Sequence, residues 1–357
     1  ERDQAIDLVA ATSRIIGLTQ QFAGSPHLAY LIGDALVREG HDAQALRWAR
    51  WVDDYARSVD DRALRVVPPL LRAIIAFDAG RVTDALGDGG AAAELAERCE
   101  QNTLLAPALG LLAEAHAAVG SYDAGYECAA RLFAMPGEIG RGPRVQTLTA
   151  LAELELQRGR ASSSAAWLGA AEDDMVPSVG AQAARPKHDT VRATWAPAAV
   201  ELSLLGRRPI NNAAPLLQVV QKAARAHAVH PGWLSWFLGI WSEDIDQSEK
   251  HLAAARQALA AMPLLEARVH MALGVKLARS ARLDEAHQHL LEAMARFDAL
   301  GANGWVKLVE HELSLLFTEP LGGTNTLIAG ETVRGNGNRR PVPTAELASR
   351  EVASPLA

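Results

Sequence analysis

The chain has 357 residues, of which 49% are hydrophobic and only 5% aromatic. That length exceeds what one compact core usually holds, so either two domains or an elongated repeat array is expected. The formal charge of −7 is spread without a basic stripe, which excludes a segment that binds nucleic-acid backbones by itself. No run of 18 apolar residues and no export signal occurs, so we expect a cytoplasmic protein without membrane contact.

The cysteines favour the same compartment. Cys99 and Cys128 are the only two, and both lie in Ala- and Leu-rich stretches that are typical of helices. Reduced, buried thiols fit this placement better than a disulfide framework. Because the first residue is Glu1 rather than Met, we also expect the chain to be part of a longer protein.

Self-similarity is the most informative feature of the sequence. One pattern recurs along the chain: a Leu-rich segment, a small turn residue, a short polar stretch and a second segment that begins near an alanine. The turn residues are Gly40, Gly80, Gly120, Gly159 and Ala281, and the first four are spaced 40, 40 and 39 residues apart. Gly206 follows 47 residues later, and a degenerate unit with its turn near Ser242 fills the interval to Ala281.

This pattern predicts helical hairpins. Glycine ends the first helix by adopting a positive φ, and alanines such as Ala45, Ala85 and Ala286 let the second helix approach closely. One hairpin cannot bury its own apolar face, but a stack of hairpins can. We therefore predict an all-α fold, a tetratricopeptide-like α-solenoid of about seven to eight helical hairpins, over residues 1–317. The first helix of each hairpin should line its concave face.

Two segments interrupt the pattern. Val176 to Asp189 is rich in proline and small residues, which predicts a loop inserted between repeats. Residues 318–345 are rich in Gly, Asn, Arg and Pro, which predicts a flexible linker.

The stretch from Leu277 to Leu313 resembles the last repeat before the DNA-binding domain in large LuxR-type regulators of actinobacteria, the relatives of the maltose regulator MalT. The positions that carry the resemblance are Ala286, Leu290, Phe297, Leu300, Gly301, Ala302, Trp305, Glu312 and Leu313. Ala165 to Asp174 is similar to a second segment of that family, and residues 346–357 look like the first turn of its helix-turn-helix domain. There Pro355 departs from the pattern, because proline breaks a helix.

The resemblance implies a repeat region that senses an inducer. In that family the repeat region lies between a nucleotide-binding module and a DNA-binding module, and these modules would be its partners. The chain contains no phosphate-binding G-x-x-x-x-G-K-[ST] loop, so we expect no cofactor in this segment and ATP only in an upstream module. The inducer would be a small polar molecule, such as a sugar.

No catalytic motif is present, and this favours binding over catalysis. The nearest metal-like spacings are His227 with His230 and His287 with His289. Both fit structural or exposed histidines better than ligands, so we predict no metal site.

Aligning the turn residues predicts which side chains face the concave groove and are candidates for ligand binding. Trp233 and Trp236 belong to a tryptophan-rich segment, where an indole ring could stack on a sugar or simply fill an irregular core. Polar side chains beside them would suit a hydroxylated ligand, although each of them could equally be an ordinary solvated residue. The predicted set is Tyr30, Asp34, Arg38, Glu114, Gln146, Glu153, Gln157, Trp233 and Trp236.

A scaffold that binds a peptide or a partner helix in the same groove remains the alternative. A sensor should enclose its site, whereas a scaffold should present an open, extended groove.

Overall fold

The computed structural model describes residues 25–38, 40–137, 139–175, 186–206, 217–218, 220–222 and 231–318. These residues form helices and connecting turns and contain no strand, so the described fold is all-α, as predicted. The helices are α1 (Pro26–Arg38), α2 (Asp42–Ser58), α3 (Val67–Asp78), α4 (Val82–Arg98), α5 (Asn102–Val119), α6 (Tyr122–Phe133), α7 (Arg141–Gln157), α8 (Ala161–Met175), α9 (Pro186–Leu205), α10 (Pro231–Trp241), α11 (Ile245–Ala258), α12 (Pro263–Arg279), α13 (Leu283–Ala299) and α14 (Asn303–Thr318), with a 3₁₀ turn at Leu64–Val66.

The predicted turn residues end their helices in the left-handed conformation. The φ angles are 76° at Gly40, 75° at Gly80, 73° at Gly120, 71° at Gly159 and 59° at Ala281. At each turn two backbone N–H groups close back onto the helix; the Gly40 N–H donates to Val37 O and the next N–H donates to Leu36 O. These two hydrogen bonds satisfy carbonyl groups that a helix end would otherwise leave free. The same short turn can therefore serve in each hairpin.

A second set of left-handed residues ends the second helix of several hairpins. Asp60 and Glu100 have φ angles of 52° and 55°, and Gly301 has 67°. These turns were not predicted, because Asp60 and Glu100 are not glycines and Gly301 was identified only as a position of the family resemblance. Their backbone hydrogen bonds follow the same pattern as those at Gly40.

The helices pair in chain order. α1 packs on α2, α3 on α4, α5 on α6, α7 on α8, α10 on α11 and α12 on α13. Among the first helices, α1 touches α3, α3 touches α5, α5 touches α7 and α10 touches α12, while α9 contacts both α7 and α10. Ala45, Ala85 and Ala286 are fully buried between the paired helices. Small side chains at these positions permit the close approach that the sequence analysis predicted.

The array closes on itself. The C-terminal helix α14 contacts α5 and α7, and α12 contacts α3. Gly304 allows this approach, since a Cβ atom there would lie 2.4 Å from Ala117 O and 2.6 Å from the Gln157 side chain. α14 therefore packs against the C-terminal ends of α5 and α7, where Ala117 and Gln157 lie.

Some boundaries differ from the sequence-based expectations. Helix α9 begins at Pro186, so the last residues of the predicted loop from Val176 to Asp189 are helical; proline fits the first turn of a helix because its missing N–H would have no partner there. Gly206 ends α9 without a positive φ. The turn near Ser242 is confirmed between α10 and α11.

Other expectations fall on residues outside the described ranges: residues 1–24, the loop at 176–185, the His227 and His230 pair, and the predicted linker and helix-turn-helix start at 319–357. Among the described helices, none is both long enough and apolar enough to cross a bilayer.

Candidate functional site

The predicted groove residues lie on four helices. α1 carries Tyr30, Asp34 and Arg38, α5 carries Glu114, α7 carries Gln146, Glu153 and Gln157, and α10 carries Trp233 and Trp236. Direct contacts and electrostatic interactions connect most of them into one polar network, which runs from α1 across α5 and α7 to α10 and α12.

At the α1 end, Arg38 Nε donates a hydrogen bond of 2.7 Å to Asp34 Oδ2. Tyr30 is buried one turn earlier, and burial together with the Asp34 charge raises the pKa of its phenol. Asp78, the last residue of α3, interacts electrostatically with Asp34, Arg38 and Glu114. Asp78 lies two residues before its turn glycine, the same position as Arg38 and Gln157 in their repeats, but it was not in the predicted set.

The centre of the network joins α5 to α7. Gln146 Nε2 donates a hydrogen bond of 2.6 Å to Glu114 Oε2. Burial raises the pKa of Glu114, while this hydrogen bond and the charge of Arg268 lower it. Two residues predicted from separate repeats therefore contact each other directly.

Arg268 of α12 forms the far end of the network and was missed by the sequence analysis. Its Nε donates to Glu201 Oε2 at 2.7 Å, and its Nη2 lies 2.5 Å from Glu201 Oε2 and 3.3 Å from Glu153 Oε1. The guanidinium carbon is 4.3 Å from the ring centroid of Trp305 and 5.1 Å from that of Trp236. All five side chains are buried. We call them the Arg268 cluster.

The carboxyl groups of the Arg268 cluster are unusually basic. Burial raises the pKa of both Glu153 and Glu201, and the nearby guanidinium only partly opposes this effect. Arg268 is one cation beside two buried acids, Glu153 and Glu201. If both acids were ionised the cluster would carry a net negative charge, which protonation of one acid removes. Glu201 Oε1 and Trp236 Nε1 are buried without a hydrogen-bond partner in the described structure.

Gln157 and Trp233 differ from the other predicted residues. Gln157 Nε2 donates to Ala117 O at 2.8 Å and its amide lies against Gly304, so it joins α5, α7 and α14. Trp233 is partly exposed and packs edge-on against Trp236, with ring centroids 6.0 Å apart. Their described contacts support packing.

Several side chains of the network retain accessible surface. Asp78 and Glu114 are only partly buried, and 42% of the Arg38 side-chain surface is accessible. Burial nevertheless is the largest cause that raises the pKa of Asp78 and Glu114. We call Tyr30, Asp34, Arg38, Asp78, Glu114 and Gln146, which lie on α1, α3, α5 and α7, the α1–α7 network.

Other features of the described residues give weaker candidates. A cavity of about 230 Å³ lies between α2 and α3, lined by Leu46, Ala49, Arg50, Asp53 and Arg72. His289, which was weighed with His287 as a metal-like pair, instead has its Nδ1 atom 3.2 Å from Nδ1 of His270 on α12. Among the described residues, no group of three or more His, Cys, Asp or Glu side chains is arranged to hold a metal ion.

Cys99 and Cys128 are both free thiols, and burial raises the pKa of Cys128 to about 11. A thiol of that basicity is protonated at neutral pH and therefore a poor nucleophile.

Comparison with protein-family models and with curated proteins finds no match to this chain.

Proposed function

We propose that this chain is the inducer-sensing repeat region of a cytoplasmic LuxR-type transcriptional regulator, folded as a tetratricopeptide-like α-solenoid, and that it binds a small polar ligand at the α1–α7 network. The family assignment rests on the resemblance of Leu277 to Leu313 and of Ala165 to Asp174 to MalT-related regulators. The binding role rests on the polar network inside the helical array.

The observation that carries the proposal is the convergence of polar side chains from different repeats. Asp34, Asp78, Glu114 and Gln146 come from four helices. Gln146 donates a hydrogen bond to Glu114, and Asp78 interacts electrostatically with both Glu114 and Asp34. Burying charged groups is unfavourable unless they are paired, so a fold that needed only stability would place apolar residues there. Polar groups that converge in a concave, mostly apolar setting are typical of small-molecule sites.

A sensor fits the described structure better than a peptide-binding scaffold. The scaffold hypothesis needs an open groove along the first helices of the hairpins, but α14 contacts α5 and α7, and α12 contacts α3. A partner helix that lay along the C-terminal ends of α5 and α7 would have to displace Gly304 of α14 from Ala117 and Gln157. A small ligand would occupy only part of the groove.

The same helices suggest how binding would be transmitted. Trp305 lies on α14 and stacks on the guanidinium of Arg268, which is bound to acids on α7 and α9. α14 is also the last helix before the predicted linker to the DNA-binding module. In this proposal α14 has two arrangements relative to the rest of the array. A ligand that binds one arrangement more tightly than the other would shift the balance between them.

A thermal-shift screen of the whole chain tests the proposal. A ligand that binds only the folded state at 100 times its Kd adds about 2.7 kcal/mol of stability. We expect small polar molecules to raise the melting temperature and Asp78→Asn or Glu114→Gln to abolish the increase. Stabilisation by peptides alone, unaffected by these substitutions, would support the scaffold instead.

A further inference from the structure

The Arg268 cluster joins five helices that are distant in sequence. Glu153 lies on α7 and Glu201 on α9, while Trp236, Arg268 and Trp305 lie on α10, α12 and α14. The guanidinium of Arg268 contacts both acids and lies close to both indole rings. Because α14 is the last helix of the described array, it can leave the cluster while α12 and α13 stay paired.

α14 closes one side of the cluster through Trp305. The ring of Trp305 stacks on Phe297 of α13 with centroids 5.6 Å apart, and its centroid lies 4.3 Å from the guanidinium carbon of Arg268. Trp305 and Arg268 are both buried. If α14 moved away from α5 and α7, which it also contacts, water would reach the guanidinium and its acids.

The polar groups of the cluster oppose this closed arrangement. Glu201 Oε1 and Trp236 Nε1 are buried without a hydrogen-bond partner among the described residues. Two buried acids share one cation, and Glu114 of α5 is a third acid that interacts electrostatically with Arg268 and Glu153. Unsatisfied polar atoms and excess buried charge both favour an arrangement that water can reach. The apolar contacts of Trp305 favour the closed one.

A proton on one of the two acids relieves this conflict. It removes the excess negative charge beside Arg268, and a neutral carboxyl group is less costly to bury than a carboxylate. Burial raises the pKa of both Glu153 and Glu201 in the closed array. Once α14 leaves and water enters, these pKa values fall towards the ordinary range of glutamate, and the proton passes to the solvent.

We propose that the Arg268 cluster is a proton-sensitive latch, which holds α14 on the array while Glu153 or Glu201 keeps a proton and favours the release of α14 once that proton is lost. This inference goes beyond the proposed function, because it concerns the chain without any ligand. Its direction follows from linkage. The closed form binds more protons than the open form, so opening becomes more favourable as the pH rises.

The histidines near these helices predict the opposite dependence. His270 on α12 and His289 on α13 face each other, and His116 lies on α5. Burial lowers the pKa of all three. A group of this kind takes up a proton on opening, so it would favour opening as the pH falls. Glu312, a buried acid of α14 itself, could mimic the latch and therefore needs its own variant.

Hydrogen–deuterium exchange of the full 357-residue chain without added ligand, at pH 6, 7 and 8, tests the latch. Dividing each exchange rate by the intrinsic rate at the same pH gives the opening constant of α14. We expect this constant to rise at least about fivefold from pH 6 to pH 8. α4 carries none of the cluster residues and should show no such rise. A smaller rise in α14, or an equal one in α4, would overturn the latch.

Matched variants identify the groups responsible. Glu201→Gln cannot ionise, so it should lower the opening constant of α14 at pH 8 and remove most of the rise. Glu153→Gln makes the same prediction and takes its place if Glu201→Gln does not fold. Glu310→Gln removes an exposed acid of α14, Glu312→Gln removes the buried one, and both should keep the full rise. Circular dichroism shows which variants are folded.

The outcomes separate the latch from the proposed function. A rise that persists in Glu201→Gln and Glu153→Gln, or one that disappears in Glu312→Gln, would overturn the latch and leave the ligand-binding role of the α1–α7 network in place. Stabilisation by peptides alone in the thermal-shift screen would overturn the proposed function, but a rise that depends on Glu201 and Glu153 would still support the latch.

Discussion

Replacing Arg268 by methionine should destabilise the protein by an amount that depends on pH. The substitution keeps a long apolar side chain between Trp236 and Trp305 but removes the cation that Glu153 and Glu201 share. Removing one partner of a buried ion pair typically costs about 3–5 kcal/mol, because the remaining charge stays buried without compensation. We expect a loss in this range at pH 8.

The loss should be smaller at pH 6. Burial already raises the pKa of Glu153 and Glu201, and removing Arg268 takes away the charge that opposes this increase. Both acids can then become neutral in the folded state as the pH falls, which relieves the buried charge. We expect the destabilisation at pH 6 to be lower than at pH 8 by at least about 1 kcal/mol.

Urea denaturation followed by circular dichroism at the two pH values measures both effects. Arg72→Met is the matched control, because Arg72 pairs with Asp88 at 2.7 Å on the surface, where such pairs contribute about 0–1 kcal/mol. Changing Arg268, Glu153 and Glu201 to methionine together should restore more than half of the loss, since no buried charge then remains. A loss below about 1 kcal/mol at pH 8, or one equal at both pH values, would refute this reasoning.

Three further predictions follow from single positions. Ala281→Gly should raise the free energy of unfolding by about 0.5–1 kcal/mol, because alanine is strained at its φ of 59°. A urea titration measures this change, and a lower free energy of unfolding would mean that the turn depends on the methyl group. Trp236→Ala should lower the free energy of unfolding by about 3–5 kcal/mol whether or not ligand is present, since its ring is fully buried; unchanged stability with lost ligand affinity would assign it to the site instead. The raised pKa of Asp78 lets the folded state keep a proton that the unfolded state loses near pH 4, so this carboxyl destabilises the fold increasingly up to about pH 7. Asp78→Asn should therefore raise the melting temperature at pH 8 and leave it almost unchanged at pH 4, and an equal effect at both would contradict the raised pKa.

The helical hairpins could be predicted because their determinants are local. A glycine that must adopt a positive φ, followed by an alanine at a close helix contact, is visible within ten residues of sequence. Gly40, Gly80, Gly120 and Gly159 all have the expected conformation. The same regular spacing allowed Asp34, Glu114 and Glu153, each six residues before its turn glycine, to be placed on the inner face.

The closure of the array could not be predicted in this way. The approach of α14 to α5 joins residues nearly 190 positions apart, and periodicity within one repeat carries no information about it. Arg268 was missed for a related reason. It lies in the apolar stretch of α12, and its partner Glu201 is 67 residues away, so neither residue shows by itself that it belongs to an ion pair.

The excess of buried acids also suggests why ligand binding and closure of the array would affect each other. Glu114 and Glu153 interact electrostatically, and both interact with Arg268. A ligand that binds Glu114 would therefore change the interaction of this acid with Arg268. Because Arg268 stacks on Trp305, that change would reach α14.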